Sequence, residues 1–221
     1  MKKLKIDFVS DVACPWCAVG LGGLLTAIDR LKDVAEFEIH MQPFELNPDM
    51  PPGGQNSTER LMRKYGYDKA RVHENRKVIA ERAAAVGMPM AVTDDSLSYN
   101  TFDAHRLLHW AGLQGQDQQI ALKRSLLKTY FHDNRDPGQP DVLAGAAQEA
   151  GLDAQAAREV AESGRYADEV RAEEDKWRAL GISSVPSVVI NGKYLVSGGQ
   201  PPEVFEQALR SIMAEEASPA A

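Results

Sequence analysis

The sequence predicts an α/β chain in which a βαβ segment and a ββα segment enclose a long helical insertion. Three observations predict it. Apolar residues alternate with period two only near the two ends of the chain. Between them, residues 57–180 are rich in Ala, Glu, Arg, Lys and Leu at helical spacing. Glycine follows most of those periodic runs, the usual stop signal of a helix.

The elements follow in order. Leu4, Ile6 and Phe8 alternate with Lys5 and Asp7, so Leu4–Ser10 reads as a strand. Pro15 suits the first turn of a helix, where its missing N–H costs nothing. Leu21, Leu24, Ile28 and Leu31 carry that helix to about Lys32. Phe37, Ile39 and Met41 mark a second strand, and the helical crossover makes it parallel to the first. Pro43, Pro48, Pro51, Pro52, Gly53 and Gly54 form a long loop. Helices are expected over 57–65, capped by Ser57 or Thr58, then 68–86, 100–111, 117–131, 141–150, 153–162 and 166–180. Strand chemistry returns at Ser187–Ile190. Asn191-Gly192 is the strongest two-residue hairpin signal, and Lys193–Ser197 is the returning strand. A last helix begins near Pro201-Pro202, and the tail from Ala217 is expected to fray. Residues 1–56 and 181–221 are thus one discontinuous domain, and 57–180 a helical insertion domain.

With 221 residues and two cysteines, the chain is no disulfide-stapled miniature. A formal charge of −7 argues against nucleic acid as a bulk-charge partner. Two early lysines resemble a signal n-region, but Lys5, Asp7 and Asp11 interrupt any apolar core behind them. The most apolar stretch, Ala18–Leu25, is short and carries Gly20, Gly22 and Gly23, so no membrane span is expected. The expected compartment is the cytoplasm, where a Cys-x-x-Cys pair is catalytic or metal-binding rather than structural.

That pair is Cys14-Pro15-Trp16-Cys17, at the junction of the first strand and its helix. A helix N-terminus stabilises a thiolate, the nucleophilic form. One turn separates the cysteines, within ordinary disulfide reach. Cys14 is therefore expected to be the exposed nucleophile and Cys17 the buried partner that resolves mixed disulfides. A zinc site needs two more ligands. His105 and His109 share a helical face, but residue 106 is Arg where a His-Glu-x-x-His site has Glu, so no metal is expected. A purely structural disulfide would close too small a loop to stabilise much.

Val185-Pro186 precedes the third strand, where proline blocks no needed ladder bond. The residues alone leave cis and trans open. A cis bond would free the Val185 backbone to pair with an extended substrate. Trp16 is read as a substrate contact at the rim or a packing residue, and Asn100 as a helix cap. Asp7 and Asp11 flank the dithiol, and either, if buried, could take the proton of Cys17. Glu173 and Glu174 interrupt the stripe of Tyr166, Val170, Trp177 and Leu180, and are read as a solvated or interdomain face.

The dithiol after a strand and Val185-Pro186 before a hairpin resemble a thioredoxin-like fold with a helical insertion. The match is to the DsbA-like family in its FrnE-type cytoplasmic branch. Residues 43–48 (PFELNP) are similar to that branch's loop after the second strand, and residues 100–107 (NTFDAHRL) to its insertion signature. Residues 182–186 (ISSVP), 191–194 (NGKY) and 197–201 (SGGQP) resemble its C-terminal half. The resemblance implies a nucleophilic Cys14, a resolving Cys17, a cis Pro186 shaping the substrate groove, and Asn100 and His105 near the cleft. It implies no cofactor beyond the dithiol, with glutathione or another protein or small thiol as exchange partner. One departure is the helix start Ala18-Val19-Gly20-Leu21-Gly22-Gly23, where many relatives carry an aromatic and basic residues. An exposed helix start that is small and apolar argues against charge-based recognition there. Kappa-class glutathione transferases and 2-hydroxychromene-2-carboxylate isomerases resemble the same architecture, usually with serine at the Cys14 position. The expected function is thiol–disulfide exchange, with a glutathione-dependent transferase or isomerase as the competing class.

Overall fold

The computed structural model describes residues 2–217. The tail beyond Ala217 lies outside the described residues. Strand β1 (Lys2–Ser10), helix α1 (Pro15–Leu31) and strand β2 (Ala35–Pro43) form the βαβ unit. At the other end come β5 (Ser187–Ile190), β6 (Tyr194–Ser197) and α9 (Pro202–Ala217). Together the strands make one sheet in the order β2-β1-β5-β6. β1 pairs parallel with β2 from Lys2↔Ala35 to Ser10↔Pro43, and antiparallel with β5 from Ile6↔Ile190 to Val9↔Ser187. The predicted hairpin forms: Asn191 and Gly192 both take positive φ, and Lys193 N–H donates to the Ile190 carbonyl at 3.1 Å.

β1 is covered on both faces. Leu4, Ile6 and Phe8 join a core with Leu21 and Leu24 of α1 and Phe205 and Leu209 of α9. Val9 joins a second cluster with Phe44, Trp177 and Ile182. Asp7, for which the sequence left burial and solvation both open, is buried, accepting from Gln42 Nε2 at 2.6 Å and pairing with Lys5 at 3.3 Å.

The insertion holds α2 (Ser57–Tyr65), α3 (Lys69–Ala85), α4 (Phe102–Gly112), α5 (Gln116–Phe131), α6 (Pro140–Glu149), α7 (Ala154–Ser163) and α8 (Ala167–Ala179). α3 packs on α1, α5 on β2 and α4, and α8 on β2 and α4. Helix α5 also blunts the open edge of β2. The Gln116 and Gln119 side chains accept from the Ile39 and Met41 N–H groups at 3.0 and 2.9 Å, leaving that edge no free template for another strand.

Some sequence expectations are corrected. Asn56, not Ser57 or Thr58, caps α2, its side chain accepting from Glu59 N–H at 3.0 Å. A two-stranded ribbon joins β3 (Gln55–Asn56) to β4 (Leu97–Ser98), strands of two residues that are too short to show a period in the sequence. Gly112 does not stop α4; it is the last helical residue, and the positive φ falls at Gly115. Gly112 is a packing glycine, since a Cβ there would sit 2.6 Å from Gln119 Nε2. The start of α1 is not exposed: Cys17 to Leu24 are all buried. A Cβ on Gly22 would lie 2.6 Å from Val86 Cγ2, and one on Gly20 would lie 3.0 Å from Pro186 Cγ. The glycines weak in helix propensity are the places where α3's end and the Pro186 segment close on α1.

Candidate active site

The turn between β1 and α1 is built by Asp11. Its Oδ1 accepts from Ala13 N–H at 3.1 Å, and its carbonyl accepts from Cys14 N–H at 3.3 Å. Its Oδ2 accepts from Leu46 N–H at 2.7 Å, tying the turn to the loop after β2. Cys14 is the N-cap of α1, with φ −98° and ψ 112°, and Pro15 is the first helical residue. Cys17 N–H donates to the Cys14 carbonyl at 3.0 Å. Both cysteines are free thiols, and their sulfurs interact directly.

The expectation of an exposed Cys14 is corrected. Cys14 is 4% exposed and Cys17 0%. The order of exposure holds, but the Val185 segment lies over Cys14: the Cys14 thiol donates to the Val185 carbonyl at 3.6 Å. The Val185–Pro186 peptide bond is cis.

Around the thiols lie groups that burial makes consequential. Burial pushes the Cys17 thiol well above its ordinary range, and Cys14 adds to the rise, while Lys123 and the Asp11 backbone N–H act the other way. Burial also pushes the Asp11 carboxyl up, but His105 and the Leu46 and Ala13 N–H groups outweigh it and hold it below its ordinary value. His105, from α4, places Nε2 3.5 Å from Asp11 Oδ1, with both side chains 1% exposed. That is too long for a firm hydrogen bond, and the nitrogen has no closer partner.

The other sequence-predicted residues fall as follows. Trp16 is half-buried, packed against the core, with Arg82 over its ring at 5.4 Å and Gly199 against it. Asn100 sits one residue before the α4 N-cap; its Oδ1 accepts from Phe102 N–H at 2.9 Å and its Nδ2 donates to the Pro48 carbonyl at 3.2 Å. Both ends of that side chain are spent on capping and on holding the loop after β2. His105 faces Asp11 whereas His109 packs at a tilt against Tyr166, ring centroids 5.2 Å apart, so the two imidazoles do not converge. A groove of about 440 Å³ bounded by Met88, Met90, Leu127 and Phe131 reaches Ala18, but neither cysteine lines it.

Sequence reasoning missed two features. Lys123 of α5 is fully buried with no hydrogen-bond partner for Nζ, and the charges of Cys17, Asp11 and Cys14 all act on it. The available signal was a lysine inside the apolar run Leu122, Leu126, Leu127. The second is a clamp on the loop after β2. Glu174, read as part of a solvated or interdomain face, is 0% exposed and accepts from Glu45 N–H at 2.9 Å, while Arg171 bonds both Glu45 and Glu174. Burial, with the Glu174 charge, pushes the Glu45 carboxyl up against the pull of Arg171.

A family model described as "DSBA-like thioredoxin domain" matches residues 5–210. The "Uncharacterized protein YwbO" of Bacillus subtilis (strain 168) is 26% identical over 205 residues, covering 92% of this chain and 94% of that one. The crystal structure of a probable DsbA oxidoreductase from Streptomyces coelicolor is 35% identical, with a TM-score of 0.85 over 99% of this chain and 93% of that one. The cytosolic disulfide reductase DsbM from Pseudomonas aeruginosa shares the fold at 15% identity, with a TM-score of 0.63 over 95% of this chain and 98% of its own. The chain therefore belongs to the family of DsbA-like thioredoxin-domain proteins, an α/β fold with a helical insertion.

Proposed function

We propose that the protein is a thiol–disulfide oxidoreductase of FrnE type, working through Cys14 and Cys17. The observation that carries the reading is the pair of free, interacting thiols at the start of α1, with the Val185 carbonyl 3.6 Å from the Cys14 sulfur. In the reducing direction, the Cys14 thiolate attacks one sulfur of a substrate disulfide. A Cys14–substrate disulfide forms, and the first substrate thiolate leaves. The Cys17 sulfur then attacks Cys14, closing the Cys14–Cys17 disulfide and releasing the second substrate thiolate. Run backwards, the same steps oxidise a dithiol.

The Val185 backbone, Pro186 and Trp16 supply the walls along which an extended substrate lies, the substrate displacing the Cys14–Val185 contact. His105 acts through Asp11, whose carboxylate fixes the turn that carries Cys14. The exchange partner is a protein or small thiol in the cytoplasm, glutathione included. The similarity of residues 43–48 and 100–107 to the cytoplasmic branch supports that setting.

The test is a Cys17→Ser trap. The variant is expected to accumulate mixed disulfides with protein partners at Cys14, released by dithiothreitol and identified by mass spectrometry. A trap holding glutathione alone, with turnover intact in Cys17→Ser, would contradict the reading and favour a glutathione-dependent transferase or isomerase.

A further inference from the structure

We propose that Arg82, delivered to the dithiol by the insertion helix α3, is a specificity-determining residue that takes a carboxylate of the disulfide substrate. The inference rests on the dithiol reading above and names the substrate class: a small disulfide with carboxylates close to its sulfurs.

The helix that carries the dithiol brings no basic or acidic side chain to it. No Asp, Glu, Lys, Arg or His occurs in α1 from Pro15 to Ile28. The cation comes from another element. Gly22 has no side chain, and Val86 at the end of α3 occupies its place: a Cβ there would lie 2.6 Å from Val86 Cγ2. That close approach sets α3 against α1. Arg82, one turn before Val86, then lies over the Trp16 ring, its guanidinium carbon 5.4 Å from the ring centroid. Gly199 closes on the same ring, since a Cβ on it would lie 3.0 Å from Trp16 Cε3. Arg82 thus rests on a fixed residue between the two cysteines.

Its surroundings leave it ready for a partner. Arg82 is exposed, and among the described residues no carboxylate pairs with it and no group takes its N–H donors. On the same helix Arg71 and Arg76 are engaged by Glu74 and Asp94. Its place in the last turn of α3 suits the helix dipole, but that effect needs no contact with the ring. A cation over an aromatic face keeps its donors free, and a planar guanidinium binds a carboxylate through two of them. Resting on the ring also orders the side chain before the substrate arrives, which reduces the entropy lost on binding. A chain of formal charge −7 otherwise repels an anionic disulfide, so a cation at the rim of the dithiol decides which substrates approach.

Three small disulfides probe the charge directly: dithiodiglycolate, an anion; hydroxyethyl disulfide, which is neutral; and cystamine, a cation. The readout is kcat/KM for dithiodiglycolate divided by that for hydroxyethyl disulfide, each corrected for its reaction with a free thiol. Arg82→Gln is expected to lower this ratio about fivefold and Arg82→Glu about twentyfold, the latter with a matching gain for cystamine. Arg82→Lys keeps the charge but loses the planar fork, and is expected to lower the ratio only about twofold. In wild type the ratio should fall as salt rises toward about 1 M. An unchanged ratio in Arg82→Gln and Arg82→Glu would overturn the proposal. So would equal slowing with all three disulfides, the mark of a residue that only holds Trp16 in place. Wild-type protein that exchanges with none of the three would instead contradict the dithiol reading itself, and the proposal with it.

Discussion

Asp11 and Asp94 are both carboxylates with several partners, and both are held below the ordinary carboxylate range. They reach that state in opposite ways. Asp94 is 39% exposed and sits among basic side chains: Lys69 at 2.8 Å, His73 at 2.7 Å and Arg76 at 3.4 Å. Hydrogen bonds from Lys69 and His73 hold it at about 2. It ties α3 to the segment before β4, and water can replace any partner it loses. Asp11 is fully buried and relies on two backbone N–H groups and one distant imidazole. Beside it, Lys123 Nζ and His105 Nε2 have unmet hydrogen-bonding capacity. A surface hub with every charge answered is a strut. A buried cluster with polar groups left unanswered is costly, and its cost makes sense beside a reaction that moves a proton.

Three substitutions sharpen the contrast. Glu174 is as buried as Asp11 and as fully paired as Asp94. Glu174→Ala strips the acceptor from the buried Glu45 N–H and leaves Glu45 sharing Arg171 alone. Denaturant unfolding should show a loss of about 2–3 kcal/mol, less than for a wholly buried pair because Arg171 can turn to water. Asp11→Asn keeps one acceptor of two, so either Ala13 or Leu46 N–H goes unanswered. The expected loss is about 1–2 kcal/mol, with disulfide exchange slowed about tenfold.

The sign with pH follows from the lowered carboxyl of Asp11. Its stabilisation is complete above the unfolded-state value and is lost as pH falls through the folded value. Asp11→Asn should therefore flatten the acid side of the stability curve. Asp94→Asn should have the smallest effect: a slight fall in Tm at neutral pH, diminishing as pH drops toward 2, and no change in exchange rate. Loss of exchange in Asp94→Asn, or wild-type exchange in Asp11→Asn, would break the comparison.

Much of this was legible in the sequence, and the reason is local. The period-two runs, Pro15 after Cys14 and the Asn191-Gly192 turn each act within a few residues, so the βαβ and ββα halves and the seat of the dithiol could be read directly. What stayed hidden depends on residues far apart in sequence. Nothing near Lys123 announces that α5 will face Cys17, more than a hundred positions away. Gly22 looks like a poor helix residue until Val86 is seen against it. Glu174 reads as solvated or interdomain, and only the loop after β2 folding over it decides for the second. Exposure misled most at Cys14, since no local signal says that the Val185 segment covers the thiol it is expected to serve.

The central claim is that Cys14 carries the chemistry, and the most direct test is the rate of disulfide exchange by Cys14→Ser beside wild type. The account predicts that the variant folds normally and falls to the uncatalysed rate with both protein and small disulfides. Exchange at the wild-type rate in Cys14→Ser would contradict it.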